Sequence, residues 1–395
     1  MRRYTMAIIA TLVLGALACS SKEKTGMKIY VQQKLYDKAI TQGTQALAQN
    51  ENDGDTHYFM GAAYFGKDEG IATDAPGYVD SCSVWLAKAF DHFTKAKRLA
   101  EASWGVSADE NIVSMWGRHF NRGVIAMKNN DFKAGADEFK LATIADPDEY
   151  KGYYQHAQAL LGLANAAKKL DKQDEFMALT DVVVKDLERV LEIDPRDKDV
   201  TVTVHQGMGE VLFERGDLKA AQESYKKAVQ LSPENYNLIL TMADRFYNVQ
   251  DWEAAAGYYG DALSIKERLN LVDKKDIPIY GARGTCLSKL NRRAEALDAF
   301  EKALALDPSD SGSLYNLMVT RYQAGLEAEK AGDMVTSKQF YSQAIPLGDQ
   351  LIGLEPSRPE YWQVRGLCKR GVGDFAGAAR DLKEYQDLKG GSSGG

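Results

Sequence analysis

Five histidines and four cysteines are the residues of this chain best suited to metal or nucleophilic chemistry. Their spacing supports neither. His57, His119 and His205 each stand four residues before a glycine, at Gly61, Gly123 and Gly209. There is no His-Glu-x-x-His run and no pair of Cys-x-x-Cys motifs, so zinc lacks a ligand set. Neither a G-x-S-x-G nucleophile turn nor a G-x-x-x-x-G-K-[ST] phosphate loop occurs. The stretch "GVGDFAG" from Gly371 to Gly377 is glycine-rich, but no strand precedes it, and it reads as a turn between helices. Carboxylates are numerous and scattered, as on solvated helix faces. The chain is therefore read as a non-enzyme, with no cofactor and no metal expected.

The elements that would position a binding surface are helical. The chain has 395 residues, of which 45% are hydrophobic and 27% charged, a globular composition. Nine prolines suit long helices, and no series of alternating Val/Ile/Thr runs marks a sheet. The formal net charge of -7 argues against non-specific nucleic-acid binding, which needs a basic excess.

The N-terminus, "MRRYTMAIIATLVLGALA", has Arg2 and Arg3 ahead of an apolar run from Met6 to Leu17 that is too short to span a bilayer comfortably. Ala16-Leu17-Ala18 is a small-x-small site, followed by Cys19 and the polar "SSKEKTG". This resembles a bacterial lipoprotein signal. The resemblance implies cleavage before Cys19, lipidation of Cys19, and a membrane anchor at the periplasmic face of the outer membrane, with Ser20 rather than Asp after the cysteine. Ordinary signal peptidase could cut the same bond, so a secreted or surface-exposed protein is the alternative. Loss of residues 1–18 removes two arginines and no acid, so -7 minus 2 leaves about -9.

Beyond residue 26 one phrase recurs. Ala296, Phe300, Ala303 and Pro308 repeat the spacing of Ala221, Tyr225, Ala228 and Pro233. The first three of each set lie on one helical stripe, and the proline stops the helix. Gly209 and Gly284 sit 12 residues before the first alanine of each set. Glycine inside a helix costs about 1 kcal/mol relative to alanine, which close approach of a neighbouring helix would offset. "RGDLKAA" and "LNRRAEA" read as corners between two helices.

The pattern resembles the tetratricopeptide repeat, a 34-residue helical hairpin. The resemblance implies an all-α solenoid, a right-handed superhelix of about nine hairpins over residues 27–389. A signal peptide (1–18), a lipidated tether (19–26) and a flexible Gly/Ser tail (390–395) complete the expected organisation. Weaker copies carry Tyr30, Ala39 and Ala46; Gly61, Tyr64, Ala89, Phe93 and Ala96; Gly123, Phe139, Ala142 and Pro147; Phe246, Ala255, Tyr259 and Ala262; and Trp362, Gly366 and Ala378. Two units are long, with 48 residues from Pro147 to Pro195 and 48 from Pro308 to Pro356. Helices lengthened around "AKKLDKQDEF" and "AEKAGDMVTS" account for this. The insert "GKDEGIATDAPGYVDSC" reads as a tolerated loop, with a binding element as the alternative, and Cys82 within it is the candidate for an exposed thiol, able to pair with another chain in an oxidising compartment; unpaired and half-buried is the plainer reading. Cys286 and Cys368, each two residues after a glycine, read as buried thiols. The three histidines fall at a packing position of the family.

The resemblance also implies that first helices line a binding groove. The inward-facing places carry Tyr58, Phe120, Asn121, Tyr154, Gln158, Gln206, Tyr247, Asn248, Tyr315, Asn316 and Tyr322. Tyrosine supplies area and a hydroxyl at low entropic cost, while Asn and Gln can bond to peptide backbone. The expected function is a lipid-anchored scaffold that binds protein partners of the cell envelope and supports assembly of a complex. A self-assembling structural subunit of an extracytoplasmic filament or sheath is the alternative. The competing reading of each tyrosine is packing between repeats.

Overall fold

The computed structural model describes residues 24–194 and 197–391; residues 1–18, read from the sequence as a signal peptide, Cys19, Pro195 and the end of the chain lie outside the described residues. Every regular element among the described residues is helical. The chain divides into two compact units, Met1–Ala228 and Val229–Gly395.

The first unit holds helices α1 (24–32), α2 (Tyr36–Gln49), α3 (Gly54–Gly70), α4 (Tyr78–Leu99), α5 (Glu101–Lys128), α6 (Phe132–Ala145), α7 (Tyr150–Lys169), α8 (Gln173–Ile193), α9 (Lys198–Arg215) and most of α10 (Leu218–Leu231). The second holds α11 (Tyr236–Asn248), α12 (Trp252–Arg268), α13 (Ile277–Lys289), α14 (Arg293–Leu306), α15 (Ser311–Lys330), α16 (Met334–Leu354), α17 (Pro359–Val372) and α18 (Phe375–Gly391). Taken in pairs these are nine hairpins among the described residues, in an all-α solenoid of tetratricopeptide type. Helix α1 begins within the stretch read as a tether: Lys24 pairs with Asp53 and Asp55 at 2.8 and 3.0 Å.

Each hairpin is made by the same local chemistry. A residue with positive φ turns every corner: Lys34, Gly77, Asn130, Asp171, Gly216, Gln250, Asn291, Gly332 and Gly373. Gly, Asn and Asp reach that region at least cost. In several corners an aspartate follows and caps the second helix. Asp131, Asp251, Asp333 and Asp374 accept from the backbone N–H groups of Ala134, Ala254, Thr336 and Gly377 at 2.8–3.2 Å. "GVGDFAG" is one of these corners.

Packing within a hairpin places a small residue of the first helix against an aromatic ring of the second, 16 residues later. A Cβ added at Gly123, Gly209, Gly284 or Gly325 would stand 2.5–2.6 Å from a ring carbon of Phe139, Tyr225, Phe300 or Tyr341. Ala243 opposite Tyr259 and Gly366 opposite Leu382 keep the register, and Gly61 meets Phe93 across the inserted residues. The expected close approach is thus a ring lying on bare backbone. The two long units have long helices, 20 and 21 residues in α7 and α8 and the same in α15 and α16.

The insert is not the expected long loop. Helix α3 runs on to Gly70 and α4 starts at Tyr78, leaving residues 71–77 between them. Tyr78, Cys82, Leu86, Ala89, Phe93 and Ala96 make one buried stripe along α4. Cys82 is therefore fully buried, not an exposed thiol, and it is unpaired, as are Cys286 and Cys368. Burial pushes the thiols of Cys286 and Cys368 up to about 11 and about 12, and raises that of Cys82, next to Asp68.

Candidate polypeptide-binding faces

All of the expected groove residues lie on first helices: Tyr58 on α3, Phe120 and Asn121 on α5, Tyr154 and Gln158 on α7, Gln206 on α9, Tyr247 and Asn248 on α11, and Tyr315, Asn316 and Tyr322 on α15. None is buried, in contrast to the ring-bearing stripe of the second helices. Their aromatic rings are half-buried, with one side held by the protein. Tyr58 stacks on Trp104 with centroids 4.0 Å apart and accepts a 3.3 Å hydrogen bond from Asn111. Phe120 stacks on Trp116 at 4.4 Å. Tyr247 meets Trp252 and Tyr259 edge-on, and Tyr315 lies 5.5 Å from Tyr361 of the next first helix, α17. Tyr322 sits 5.9 Å from Tyr341 within its own hairpin.

Tyr58 and Tyr315 thus serve partly as spacers between hairpins. Tyr58 belongs to the first unit's face, with Phe120, Tyr154 and the three amides up to Gln206. Tyr315 belongs to the second's, with Tyr247 and Tyr322. Trp104 and Trp116 extend the first face and were not foreseen; their only signal in the sequence is the presence of two tryptophans on α5.

Polar groups on these faces differ from those elsewhere. Tyr78, Tyr259, Tyr280 and Tyr341 donate to carboxylates of Glu138, Asp244, Glu267 and Glu329 at 2.7–2.9 Å. Burial raises each of these phenols, and the carboxylate raises it further. The hydroxyls of Tyr154, Tyr247, Tyr315 and Tyr322 have no such partner among the described residues. Nor do the side-chain amides of Asn121, Gln158, Gln206, Asn248 and Asn316. Each carboxamide offers two donors and an acceptor, complementary to the N–H and C=O of an extended or helical backbone. Rings fixed on one side and open on the other offer apolar area at little entropic cost.

The histidines pack as expected in position but not all in character. His57 is buried and meets His92, Nδ1 to Nδ1, at 2.8 Å; its Nε2 donates to the Glu51 carbonyl at 2.9 Å. Burial, followed by His57, pushes His92 down to about 4. His205 is half-buried on α9, where burial lowers it. His119 is different. It is fully buried, with Nδ1 2.7 Å from Glu138 and Nε2 3.1 Å from Asp68. Burial opposes its charge, but hydrogen bonds to both carboxylates outweigh this and its pKa is raised. Asp68 is lowered, its hydrogen bond from His119 overcoming burial. Tyr78 donates to Glu138, Arg122 donates to the Tyr78 oxygen at 3.0 Å, and Arg118 donates to the Glu69 carbonyl at 3.1 Å.

The network joins α3, α4, α5 and α6. Both imidazole nitrogens are committed to carboxylates, so the ring is a structural cation and has no free nitrogen for proton transfer or ligation. Among the described residues, no group of three or more His, Cys, Asp and Glu is placed to hold a metal ion. No described helix is long and apolar enough to cross a membrane.

Known proteins share the repeat. Residues 202–235 and 277–310 match tetratricopeptide-repeat family models. The chain is 23% identical over 167 residues to tetratricopeptide repeat protein 16 of Mus musculus, which covers 41% of this chain and 21% of that protein. It is 28% identical over 120 residues to a DnaJ homolog subfamily C member 3 homolog of Dictyostelium discoideum, covering 27% and 23%. The chain thus spans less than a quarter of the length of these two relatives. A tetratricopeptide repeat protein from Parabacteroides merdae aligns over 70% of this chain and 93% of its own, at 12% identity and a TM-score of 0.34. Two repeats match by sequence, and the small-residue-on-ring contact recurs in hairpin after hairpin; the chain is a tetratricopeptide-repeat protein.

Proposed function

We propose that this chain is a non-enzymatic scaffold that binds polypeptides on its first-helix faces. One observation carries the reading: half-exposed aromatic rings and carboxamides without an internal partner lie together on first helices, while Tyr78, Tyr225, Tyr259 and Tyr341 of the second helices are buried. Such a surface reads backbone and apolar side chains more than charge. Replacing Tyr154, Tyr247 and Tyr315 together by alanine, with helicity and melting temperature retained, abolishes capture of the protein's own partner from native cells; unchanged capture refutes the reading.

We further propose that the scaffold is lipid-anchored at the periplasmic face of a bacterial outer membrane and supports assembly of an envelope complex. Support comes from the sequence of residues 1–20, which places a cysteine after a signal-like segment. In this organisation helices α1 to α18, residues 24–391, form the repeat array. Metabolic labelling with a fatty-acid analogue tests it: label on the chain that disappears in Cys19→Ala supports the anchor, and absence of label from the wild type refutes it.

A further inference from the structure

A second surface, which shares Tyr322 with the first-helix face but none of its amides, lies at the corners of the last two hairpins. Its cavity, about 740 Å³, opens between the α15–α16 corner and the α17–α18 corner, within the size range of peptide and small-ligand pockets. The floor is apolar, made by Leu326, Leu367 and the rings of Tyr322 and Tyr341. Tyr341 is held there from two sides, against the bare backbones of Gly325 and Gly371.

The rim is apolar and basic. Phe375, the first residue of α18, is 71% exposed and Met334 is 49% exposed. Val335, beside Met334 in sequence, is 81% exposed. Glycine at position 373, with φ of +96°, sets the turn that places Phe375 at the mouth. Lys330, Lys338 and Arg370 line the same opening. Among the described residues none of the three makes an ion pair, in contrast to Arg268, Arg293, Arg321, Arg365 and Lys369 of the same unit. The single carboxylate of the lining, Glu329, already accepts from Tyr341 at 2.8 Å. Three unpaired cations thus surround exposed aromatic and aliphatic groups, on a chain whose overall charge is -7.

We propose that this corner cavity docks an acidic segment of a partner protein, one that inserts a Leu or Phe side chain against Leu326, Leu367 and Phe375 and sets Asp or Glu against Lys330, Lys338 and Arg370. The cavity's volume and apolar floor favour an inserted side chain over a phosphate backbone or a flat lipid surface. The proposal rests on the scaffold reading above and adds a charge-dependent site that the amide-rich faces lack.

The test is panning of a random dodecapeptide display library on the full chain at about 0.15 M salt, followed by binding of the enriched peptides as free fluorescent probes. The expected result is enrichment of peptides with Asp or Glu flanking Leu or Phe. Their affinity falls at least about tenfold in Lys330→Glu/Arg370→Glu and in Phe375→Ala, and weakens with added salt. Both variants alter exposed side chains and keep the fold, which circular dichroism confirms. The Tyr154→Ala/Tyr247→Ala/Tyr315→Ala variant retains this binding, so failure here and failure of the first-helix reading are separable. Enriched peptides without acidic residues, binding indifferent to Lys330, Arg370 and Phe375, or no enrichment at all would each overturn the proposal. So would sedimentation of the peptide-free chain with anionic phospholipid vesicles that depends on the same three residues, since the surface would then be a membrane contact.

Discussion

At Gly284 two effects of similar size oppose each other. Helix propensity alone favours alanine over glycine by about 1 kcal/mol. A Cβ there, however, would lie 2.6 Å from Cε1 of the buried Phe300, and overpacking of a core costs about 1–3 kcal/mol. Gly284→Ala is therefore expected to lower stability. Gly257, on α12 with nothing within 4 Å of an added Cβ, feels propensity alone, so Gly257→Ala is expected to raise it. Urea melts of the two variants should move in opposite directions, and movement in the same direction would contradict the contact.

His119 makes a second residue-scale prediction. Removing its ring leaves Asp68 and Glu138 buried without their shared cation, at a cost of about 3–5 kcal/mol. The sign with pH follows from the shifts. His119 is raised, so its contribution is fully present below the unfolded value near 6.5 and is lost as pH rises through the higher folded value. Asp68 is lowered, so its contribution is present above the unfolded carboxylate value and is lost as pH falls through the folded one. The melting-temperature gap between wild type and His119→Gln is thus expected to be widest between these limits and to close towards alkaline pH. A constant gap would mean that His119 packs as a neutral ring.

The packing of His119 was legible in the sequence, because its spacing to Gly123 marks a register within one helix. Its charge was not, because Asp68 and Glu138 lie 51 and 19 residues away and meet it only when α3, α5 and α6 are assembled.

At the scale of elements, hairpins are specified by short-range signals, which is why most could be read from the chain. The 16-residue spacing from glycine to ring and the corner pairs such as Gly332-Asp333 act within one hairpin. The insert escaped because Gly and Pro in "GKDEGIATDAPGYVDSC" look like loop, whereas Asp68 is recruited by His119 and Tyr78 by Glu138; tertiary partners carried both helices inward and buried Cys82. The terminal hairpin offers a direct test of how an element is fastened. Asp381 of α18 is buried and takes a forked contact from Arg365 of α17, 2.7 Å to each oxygen, with Lys369 at 3.0 Å. Asp381→Ala leaves the mostly buried Arg365 guanidinium with Asp349 as its one remaining carboxylate partner, at a cost of about 1–3 kcal/mol. Amide exchange in α18 is expected to speed up while α11 to α14 keep their protection; unchanged exchange in α18 would show that its apolar contacts suffice.

At the scale of the molecule, the first-helix faces were legible only by analogy of position. Which rings remain half-open, and which amides stay unpaired, depends on neighbours such as Trp104 and Tyr361 that belong to other helices. The measurement that tests the central claim most directly is site-specific photocrosslinking in cells that make the protein natively. The photoreactive residue replaces Tyr154, Tyr247 or Tyr315 in turn, and, as controls, Lys140, Lys226 or Glu384, which are exposed on second helices. The scaffold account predicts reproducible links from the three first-helix sites to one partner polypeptide, and none to it from the controls. Equal links from both sets, or links only to further copies of this chain, would contradict it.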